Sequence, residues 1–408
     1  MSINSCKICG DPYEEILSFG KMPLGNGFLD ENEIPNEYFY EMSVGFCDRS
    51  MMFQLANQPA PEQMFHDQYA FHSGTSDGMK KHFKEFANTV IKDIDSKSEN
   101  PFVVEIGSND GIMLQNFAQR QIRHLGIEPS KNVADVAIKK GINTKVAFFN
   151  DQLATDIKNE YGLASAILAA NVICHIPDFN SILKGVSSLL SKNGLFIFED
   201  PYLGDVIQKN SFDQIYDEHV FLFSLHSVQF AASMNGLDLI NAEPQKTHGG
   251  SMRYTLCHKG EFNKSENTAK LLQKEKSIGL NELVTFKNFE QNVQLIKLEL
   301  VDLLMNLKQQ GKRVAGYGAT SKSTTILNFC EIGPNLIEWI CDTTPTKQGK
   351  LTPGSHIPVF PYSKFESDTP DYAILFAWNH ADEIMQKEKE FSRNGGRWIT
   401  FFPEIKVI

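Results

Sequence analysis

The segment Phe102-Val-Val-Glu105-Ile-Gly107-Ser-Asn109-Asp-Gly111 decides the fold of this chain. A mostly apolar run is followed by a loop with two glycines, and residues 112–120 beyond the loop have the pattern of a helix. A buried strand that passes through a glycine loop into a helix is the starting unit of a parallel α/β sheet. We therefore predict an α/β domain with a binding crevice where this strand ends.

The same alternation of strand and helix patterns continues downstream. Apolar runs occur at Leu125–Ile127, Ala166–Ala170 and Leu195–Phe198, with helical patterns between them at Asn132–Lys140 and Ile182–Leu190. This order predicts a Rossmann-like sheet with helices on both faces. Two later runs, Leu237–Ile240 and Met252–Leu256, are expected to form an antiparallel pair at one edge.

Four parts of the chain differ in their sequence pattern. Residues 1–75 are rich in Pro, Gly, Phe and Met and contain a Cys-x-x-Cys pair, which is typical of a small Cys-stapled domain. Residues 76–265 make up the predicted α/β domain. Residues 266–310 are predicted to form one long helical connection that ends at Gly311. Residues 311–408 restart the strand and helix alternation and predict a second, carboxy-terminal Rossmann-like domain.

Composition disfavours several classes of function. The 408 residues are 41% hydrophobic and 22% charged, as in soluble multidomain proteins, and the net charge of −11 disfavours a nucleic-acid-binding face. No apolar run approaches the roughly 20 residues of a membrane span. The first residues lack the regions of a secretion signal, and seven cysteines fit a reducing compartment. We expect a cytoplasmic enzyme with no nucleic-acid or membrane partner.

The first glycine loop predicts a cofactor site. Its spacing, with Glu105, Gly107, Asn109 and Gly111, differs from the Gly-x-Gly-x-x-Gly of dinucleotide binders. An acidic residue at the start of the loop suits a cationic, amino-acid-bearing ligand better than a pyrophosphate. Two further polar residues follow neighbouring strands, Glu128 to bind ribose hydroxyls and Asn171 to line the crevice. Together they indicate S-adenosylmethionine, whereas the alternative is an α/β loop without a ligand.

The segment Ser211-Phe-Asp-Gln-Ile-Tyr216-Asp217-Glu218-His219 is the strongest candidate for catalysis. It places a phenol, two carboxyls and an imidazole at consecutive positions between two apolar runs. Proton transfer requires such groups, and packing does not. The alternative is a hydrogen-bonded polar network at the start of a helix.

The amino-terminal cysteines predict a metal site. Cys6 and Cys9 form a Cys-x-x-Cys half site, and Cys47 lies where a second half site would begin. Ser50 stands where the fourth sulfur is expected, and a serine hydroxyl is a poor zinc ligand. Zinc held by three thiolates and loss of the metal are both compatible with this pattern.

The second glycine loop and three nearby clusters are candidates for substrate contacts. Two glycines, hydroxyls and a lysine at a helix start suggest a phosphate site, with an acidic residue after the next strand; the alternative is a structural turn. Arg253 is a cation beside flexible backbone, which suits an anionic substrate or a hairpin turn. Asn379 and His380 follow a later strand, where polar residues make ligand contacts or cap a helix. These residues are Gly316, Gly318, Thr320, Lys322, Asp342, Arg253, Asn379 and His380.

The order of motifs along the whole chain resembles one enzyme family. The motifs are Cys-x-x-Cys, Glu-Ile-Gly-Ser-Asn-Asp-Gly-Ile, Cys-His-Ile-Pro, Glu-Asp-Pro-Tyr-Leu-Gly-Asp, Ser-Phe-Asp-Gln-Ile-Tyr-Asp-Glu-His, His-Gly-Gly-Ser-Met-Arg-Tyr, Gly-Tyr-Gly-Ala-Thr and Phe-Ala-Trp-Asn-His. The chain is similar to the S-adenosylmethionine-dependent C-methyltransferases of nucleotide-activated deoxysugars. The resemblance implies a zinc-binding amino-terminal domain, a methyltransferase domain and a Rossmann-like carboxy-terminal domain, with the sugar nucleotide between the last two. Ser50 departs from the family's fourth cysteine.

The resemblance also implies a reaction. Carbon next to a carbonyl becomes nucleophilic as an enolate, so the expected substrate is a nucleotide-diphosphate 4-keto-6-deoxysugar methylated at C3 for branched-sugar biosynthesis. His219 is then the expected base, with Glu218 orienting it or setting its charge and Tyr216 donating to the enolate oxygen or contacting the sugar. His175 and Tyr69 are expected to line the pocket. The alternatives are an O- or N-methyltransferase and a nucleotide-sugar dehydrogenase or epimerase.

Overall fold

The computed structural model describes residues 5–64, 77–95 and 99–408. Within them the chain forms three β-sheets with helices around and between them. The strands are β1 (Glu14–Pro23), β2 (Phe39–Cys47), β3 (Met52–Leu55), β4 (Phe102–Ile106), β5 (Arg123–Ile127), β6 (Thr144–Lys145), β7 (Ala164–Ala170), β8 (Leu190–Pro201), β9 (Phe221–Leu222), β10 (Leu237–Gln245), β11 (Ser251–His258), β12 (Val314–Tyr317), β13 (Ile340–Asp342), β14 (Val359–Pro361), β15 (Tyr372–Leu375), β16 (Arg397–Thr400) and β17 (Lys406–Val407).

The α-helices lie mainly between the strands of the two larger sheets. They are α1 (Pro61–Met64), α2 (Asp77–Asp95), α3 (Gln115–Ala118), α4 (Lys131–Lys139), α5 (Asp151–Tyr161), α6 (Phe179–Leu189), α7 (Leu203–Lys209), α8 (Leu225–Met234), α9 (Glu266–Ser277), α10 (Leu283–Gln309), α11 (Ser321–Phe329), α12 (Ser363–Ser367), α13 (Ala381–Lys387) and α14 (Lys389–Arg393). No helix among the described residues is both long and apolar enough to span a bilayer.

The middle sheet has seven strands in the order β10-β11-β8-β7-β4-β5-β6. The five strands from β8 to β6 are parallel, and β11 and β10 extend the sheet antiparallel from β8. β4 is buried along its whole length, as expected for a strand covered on both faces. The predicted parallel sheet and its antiparallel edge pair are both confirmed.

The carboxy-terminal sheet repeats this design. Its order is β14-β13-β12-β15-β16-β17, with five parallel strands and only β17 antiparallel. In both large sheets the strand order reverses beside the first strand, between β4 and β7 and between β12 and β15. Such switch points are where α/β sheets form ligand crevices.

The amino-terminal sheet is antiparallel in the order β1-β2-β3-β9. Its last strand comes from the middle of the chain, two residues after His219. The division of the chain at residues 75, 265 and 310 remains a prediction, and β9 crosses it. The stretch just before β9 also links the amino-terminal and carboxy-terminal parts of the chain. The centre of the Phe212 ring lies 6.5 Å from that of Phe19, 5.5 Å from that of Phe329 and 5.4 Å from that of Phe402.

Two predicted helices differ from the structure. Residues 112–120 contain only the short α3, because the Asn116 side chain binds the carbonyls of Ile112 and Met113 and Gln121 takes a φ of 59°. The predicted long connection is two helices, α9 and α10, separated at Gly279, whose φ of 73° stops a right-handed helix. The apolar face predicted for α10 is nevertheless buried at Val293, Ile296, Leu300, Leu304 and Leu307.

Candidate active site

A cavity lies at the carboxyl ends of β4, β5 and β7, where the sequence predicts the cofactor crevice. Gly107, Asn109, Glu128 and Asn171 line it, as does His175. α2 covers it with Met79 and Phe83, and the loop after β6 contributes Phe148 and Phe149. The cavity is therefore apolar around its walls and polar at the strand ends.

Two residues in the left-handed region bring the strand ends together. Gly107 has a φ of 67° and Asn171 a φ of 55°. A Cβ on Gly107 would lie 2.3 Å from Cγ2 of Val172, so a side chain at this position would collide with the loop after β7. Gly107 thus allows close approach between two protein loops at the edge of the cavity.

Glu128 clips the glycine loop in place. Its Oε2 accepts the Asn109 N–H at 3.0 Å, and its Oε1 accepts the Ser130 N–H at 2.8 Å. Burial raises the pKa of Glu128, although these backbone bonds oppose the shift. The carboxyl borders the cavity, where it could also accept the two hydroxyls of a ribose.

Glu105 and Gly111 do not line the cavity. Burial, followed by the charges of Glu128 and Asp110, raises the pKa of Glu105 well above its usual value. Glu105 is buried away from the cavity in surroundings that disfavour its charged form, so its predicted role is not supported by its position. A Cβ on Gly111 would lie 2.9 Å from Ile142, which makes this glycine a packing residue against the segment after α4.

Tyr216 and His219 form a buried hydrogen-bonded pair. His219 Nδ1 donates to the Gln214 carbonyl at 2.7 Å, so Nε2 carries the lone pair and accepts from the Tyr216 hydroxyl at 2.9 Å. Burial, and next the neighbouring His175, lower the pKa of His219 well below its usual value. The ring is therefore neutral at pH 7, which is the form that accepts a proton.

His175 connects this pair to the cavity at the strand ends. It lines the cavity, and its ring stacks on His219 with 5.4 Å between centroids and an angle of 22°. The turn before it is held by Asp200, which accepts the Val172 and Cys174 N–H groups. Burial lowers the pKa of His175 to about 3.

Glu218 lies next to His219 in the chain, but both ring nitrogens of His219 already have other partners. Its Oε1 instead accepts from Asn26 Nδ2 at 2.7 Å, and the neighbouring Asp217 accepts the Gly25 N–H at 3.1 Å. Burial raises the pKa of Asp217 to about 7 and that of Glu218 to about 8. No hydrogen bond thus supports the prediction that Glu218 orients the histidine, and its other predicted role, to set the charge of His219, stays a prediction.

Arg253 is occupied by a structural ion pair. Its guanidinium donates twice to Glu199 Oε2, at 3.2 and 2.9 Å, and lies 3.8 Å from the centre of the Phe86 ring. Glu199 also binds His82 of α2 at 2.7 Å. These contacts hold α2 over the cavity, and the role of Arg253 as a substrate ligand stays a prediction.

The second glycine loop contacts the middle domain. Thr320 caps α11 by accepting the Ser323 N–H, and Lys322 Nζ donates to the His248 carbonyl at 3.1 Å. Asp342 accepts the N–H groups of Ala319 and Thr344 at 2.8 and 2.7 Å.

The glycines of this loop are required by packing. A Cβ on Gly316 would lie 2.7 Å from Ile340, and one on Gly318 would lie 3.1 Å from Ala377. Both close approaches are to the protein itself, to the neighbouring strand at Gly316 and to the loop after β15 at Gly318.

The segment after β15 also serves the domain contact. Trp378 Nε1 donates to Asp213 Oδ2 at 2.6 Å, and the Gly249 backbone packs on the same indole. His380 is 61% exposed and lies 3.9 Å from Glu383, and Asn379 is partly exposed. The buried contact of this segment is therefore made by Trp378 rather than by the predicted Asn379 and His380.

The three amino-terminal cysteines meet in one cluster. The sulfurs of Cys6, Cys9 and Cys47 lie within 4.8 Å of one another, and Cys9 Sγ is 3.6 Å from Cys47 Sγ. Ser50 Oγ, fully buried, is 3.2 Å from Cys6 Sγ. This spacing fits one tetrahedral zinc ion with three thiolates, which would hold the turns before β1 and after β2 together.

Several contacts of the site carry no recognisable sequence signal, although Asp213 and His248, which make two of them, stand in motifs quoted from the sequence. Asn26 and Lys347 approach Glu218, Asp213 holds Trp378, and His248 lines the cavity. Their partners lie far away in sequence, and no motif spacing reveals such contacts. Tyr69, the remaining predicted pocket residue, lies outside the described residues.

Comparison with protein families agrees with this arrangement. Three family models match the chain: "Putative zinc binding domain" at residues 6–65, "Methyltransferase domain" at residues 79–242 and "C-methyltransferase C-terminal domain" at residues 246–403. The chain is 34% identical over 409 aligned positions to C-methyltransferase NovU of Streptomyces niveus, covering 100% of this chain and 97% of that protein.

Two solved methyltransferase structures are also similar to part of the chain. Magnesium protoporphyrin IX methyltransferase from Synechocystis PCC 6803, with bound S-adenosylmethionine, is 13% identical, with a TM-score of 0.34 and coverage of 45% of this chain and 82% of that one. The CcbJ methyltransferase of Streptomyces caelestis is 12% identical, with a TM-score of 0.36 and coverage of 49% and 99%. The full-length match to NovU and the three family models establish that the chain belongs to the S-adenosylmethionine-dependent C-methyltransferase family.

Proposed function

We propose that the enzyme transfers a methyl group to C3 of a nucleotide-diphosphate 4-keto-6-deoxysugar, with His219 as the base. The observation that carries the proposal is the hydrogen-bonded Tyr216–His219 pair, one stacked ring away from the cofactor cavity. Bound S-adenosylmethionine would supply the electrophilic methyl group from the crevice lined by Gly107, Asn109, Glu128 and Asn171.

A carbon acceptor explains why a base is buried here. The C3–H bond becomes acidic only beside a carbonyl, and its electron pair must pass to the carbonyl oxygen as the proton leaves. His219 Nε2 takes that proton, and the enolate then forms the new carbon–carbon bond while the methyl–sulfur bond breaks. The Nδ1–H bond to the Gln214 carbonyl keeps the lone pair of the neutral ring on Nε2 until the proton is transferred.

Tyr216 has two tasks in this scheme. In the structure its hydroxyl donates to His219 Nε2 and therefore occupies the lone pair that the base needs. When the sugar binds, the same O–H turns to the 4-keto oxygen, which frees Nε2 and supplies a donor where negative charge develops.

Two partly buried lysines support an anionic substrate between the middle and carboxy-terminal sheets. Lys322 follows the second glycine loop, and Lys347 donates to the Ala319 carbonyl at 2.7 Å. Burial lowers the pKa of both lysines, while Asp213 opposes the shift at Lys322, and Asp342 and Glu218 oppose it at Lys347. A sugar diphosphate would meet positive charge from both.

The test is the His219→Asn variant with a panel of dTDP-, GDP- and CDP-linked 4-keto-6-deoxysugars. We expect turnover to fall by at least about 1,000-fold, because no group replaces the base, while the Kd for S-adenosylmethionine stays within about three-fold of wild type. Mass spectrometry follows methylation, and deuterium incorporation at C3 without methyl donor follows proton removal alone.

His124→Asn, at the far end of β5, is the matched control and should behave as wild type. Full activity of His219→Asn would remove the base assignment. Methylation by wild type without deuterium incorporation at C3 would point to oxygen or nitrogen as the acceptor. No methylation of any sugar in the panel would overturn the proposed substrate class.

A further inference from the structure

The loop Leu24–Gly27, here called the N-terminal loop, reaches the candidate catalytic segment from the cysteine-containing part of the chain. The Gly25 N–H donates to Asp217 Oδ1 at 3.1 Å, and Asn26 Nδ2 donates to Glu218 Oε1 at 2.7 Å. These partners are separated by 192 positions in sequence. The two acidic residues beside His219 are therefore both held by one loop from another sheet.

The N-terminal loop is itself fixed from its other side. Thr324 of α11 donates to the Gly25 carbonyl at 2.9 Å. A Cβ on Gly25 would lie 2.7 Å from Asp217 Oδ1 and 3.3 Å from Cβ of Ser321, so the loop is wedged between the catalytic segment and α11. Asn26 is thus presented to Glu218 by a backbone with little freedom to move.

The surroundings of Glu218 show what its hydrogen bond from Asn26 does. Glu218 is only 5% exposed, and the groups facing it are Asp217, Lys347 and Cys174. Burial and then Asp217 raise its pKa, while the bond from Asn26 and then Lys347 lower it. Of these influences, Asn26 provides the hydrogen bond that fixes the direction of the carboxyl group.

We propose that Asn26 is a positioning residue, whose amide holds Glu218 Oε1 so that Oε2 faces the sugar, and that the amino-terminal segment thereby completes the catalytic centre. The inference rests on the proposed function in one respect, because it takes from it the sugar substrate that Glu218 faces. It assigns the metal-binding segment a direct part in catalysis in addition to its structural part.

The test compares Asn26→Asp with Asn26→Ala. Asp has the shape of Asn but places a second carboxylate against Glu218, whereas Ala only removes the donor. We expect kcat at pH 8 to fall by about 10- to 100-fold in Asn26→Ala and further in Asn26→Asp, with partial recovery of Asn26→Asp at pH 6 as its carboxyl gains a proton. KM for S-adenosylmethionine should stay unchanged in both.

Asn57→Ala, an exposed asparagine of the same segment, is the control and should leave kcat unchanged. A merely structural Asn26 predicts the opposite order, with the isosteric Asn26→Asp more active than Asn26→Ala, and that order would overturn the proposal. Asn26→Ser keeps a short donor and serves if Asn26→Ala does not fold.

A second measurement needs no sugar substrate. In protein labelled with ¹³C at the glutamate carboxyls, the Glu218 resonance is assigned by its loss in Glu218→Gln and titrated. Asn26→Ala should move this titration to higher pH, since the ionised carboxyl loses a donor. An unchanged titration would overturn the inference even if the sugar is methylated, whereas a shifted titration without sugar methylation would refute only the proposed function.

Discussion

The two glycine loops are built with the same device and lead to different sites. After β4, Glu128 accepts the N–H of Asn109 in the loop and that of Ser130 two residues beyond itself. After β12, Asp342 accepts the N–H of Ala319 in the loop and that of Thr344 two residues beyond itself. In each sheet a carboxylate at the end of the second strand accepts a backbone hydrogen bond from the loop that follows the first strand.

The difference lies on the other side of each switch point. Beside the first loop, the chain after β7 leaves a cavity bordered by Asn171 and His175. Beside the second, Trp378 binds Asp213, and Lys322 binds the His248 carbonyl, so the crevice holds part of the middle domain. The same backbone design thus borders an open cavity in one sheet and contacts the middle domain in the other.

The most direct test of this difference between the two loops is to add a methyl group to each of them. Gly107→Ala combines a φ of 67° with a Cβ 2.3 Å from Val172, so we expect the Kd for S-adenosylmethionine to rise at least about 100-fold by calorimetry. Gly318→Ala has a φ of 90° and a Cβ 3.1 Å from Ala377, so it is strained as well. Its Kd for S-adenosylmethionine should change by less than about three-fold. Equal losses would mean that the loops are not functionally distinct.

A second pair of variants, with smaller expected effects, tests the two carboxylates that hold the loops. Glu128→Gln and Asp342→Asn each remove one acceptor of a backbone N–H while preserving shape. Both should lower the free energy of unfolding by about 1 kcal/mol, yet only Glu128→Gln should weaken S-adenosylmethionine binding, by about 10-fold. Denaturant unfolding and calorimetry measure the two effects separately. A ten-fold weakening in Asp342→Asn would contradict the division of roles.

The smallest effect concerns the docking contact and depends on pH. Burial raises the pKa of Asp213 to about 6, although Lys322 and the Trp378 bond oppose the shift. The unfolded carboxyl loses its proton near pH 4, so between pH 4 and 6 this residue lowers the free energy of unfolding as pH rises. Asp213→Asn lacks that titration and should gain on the order of 1 kcal/mol relative to wild type between pH 4.5 and 7. A difference that is constant with pH would contradict the docking role.

The architecture of the two large sheets could be predicted because its signals are local. The run at residues 102–106 coincides with β4, and the pairs at the antiparallel edge were also expected. Glycines were a less specific signal. Gly107 borders the cavity, while Gly111, Gly316 and Gly318 are explained by close packing within the protein, and sequence spacing does not separate these causes.

The contacts of the catalytic segment could not be predicted for a different reason. The types of its residues indicate proton transfer, but the partner of Glu218 is Asn26, and the partner of His219 Nδ1 is a backbone carbonyl. A carbonyl has no residue-specific signal, and a contact across 192 positions depends on how three sheets pack. Arg253 is the opposite case. Its motif suggests a contact to an anionic substrate, but its guanidinium is paired with Glu199 in the structure.

β9 also imposes an order on biosynthesis. β3 leaves the ribosome early, but the strand that covers its edge is made much later, directly after His219. Until then the nascent chain exposes an unpaired edge whose residues Met52–Leu55 are all buried in the finished protein, which makes truncated chains prone to pair with one another. The amino-terminal sheet can therefore be completed only after Tyr216–His219 has been made, and chains stalled before residue 221 leave the edge of β3 unpaired.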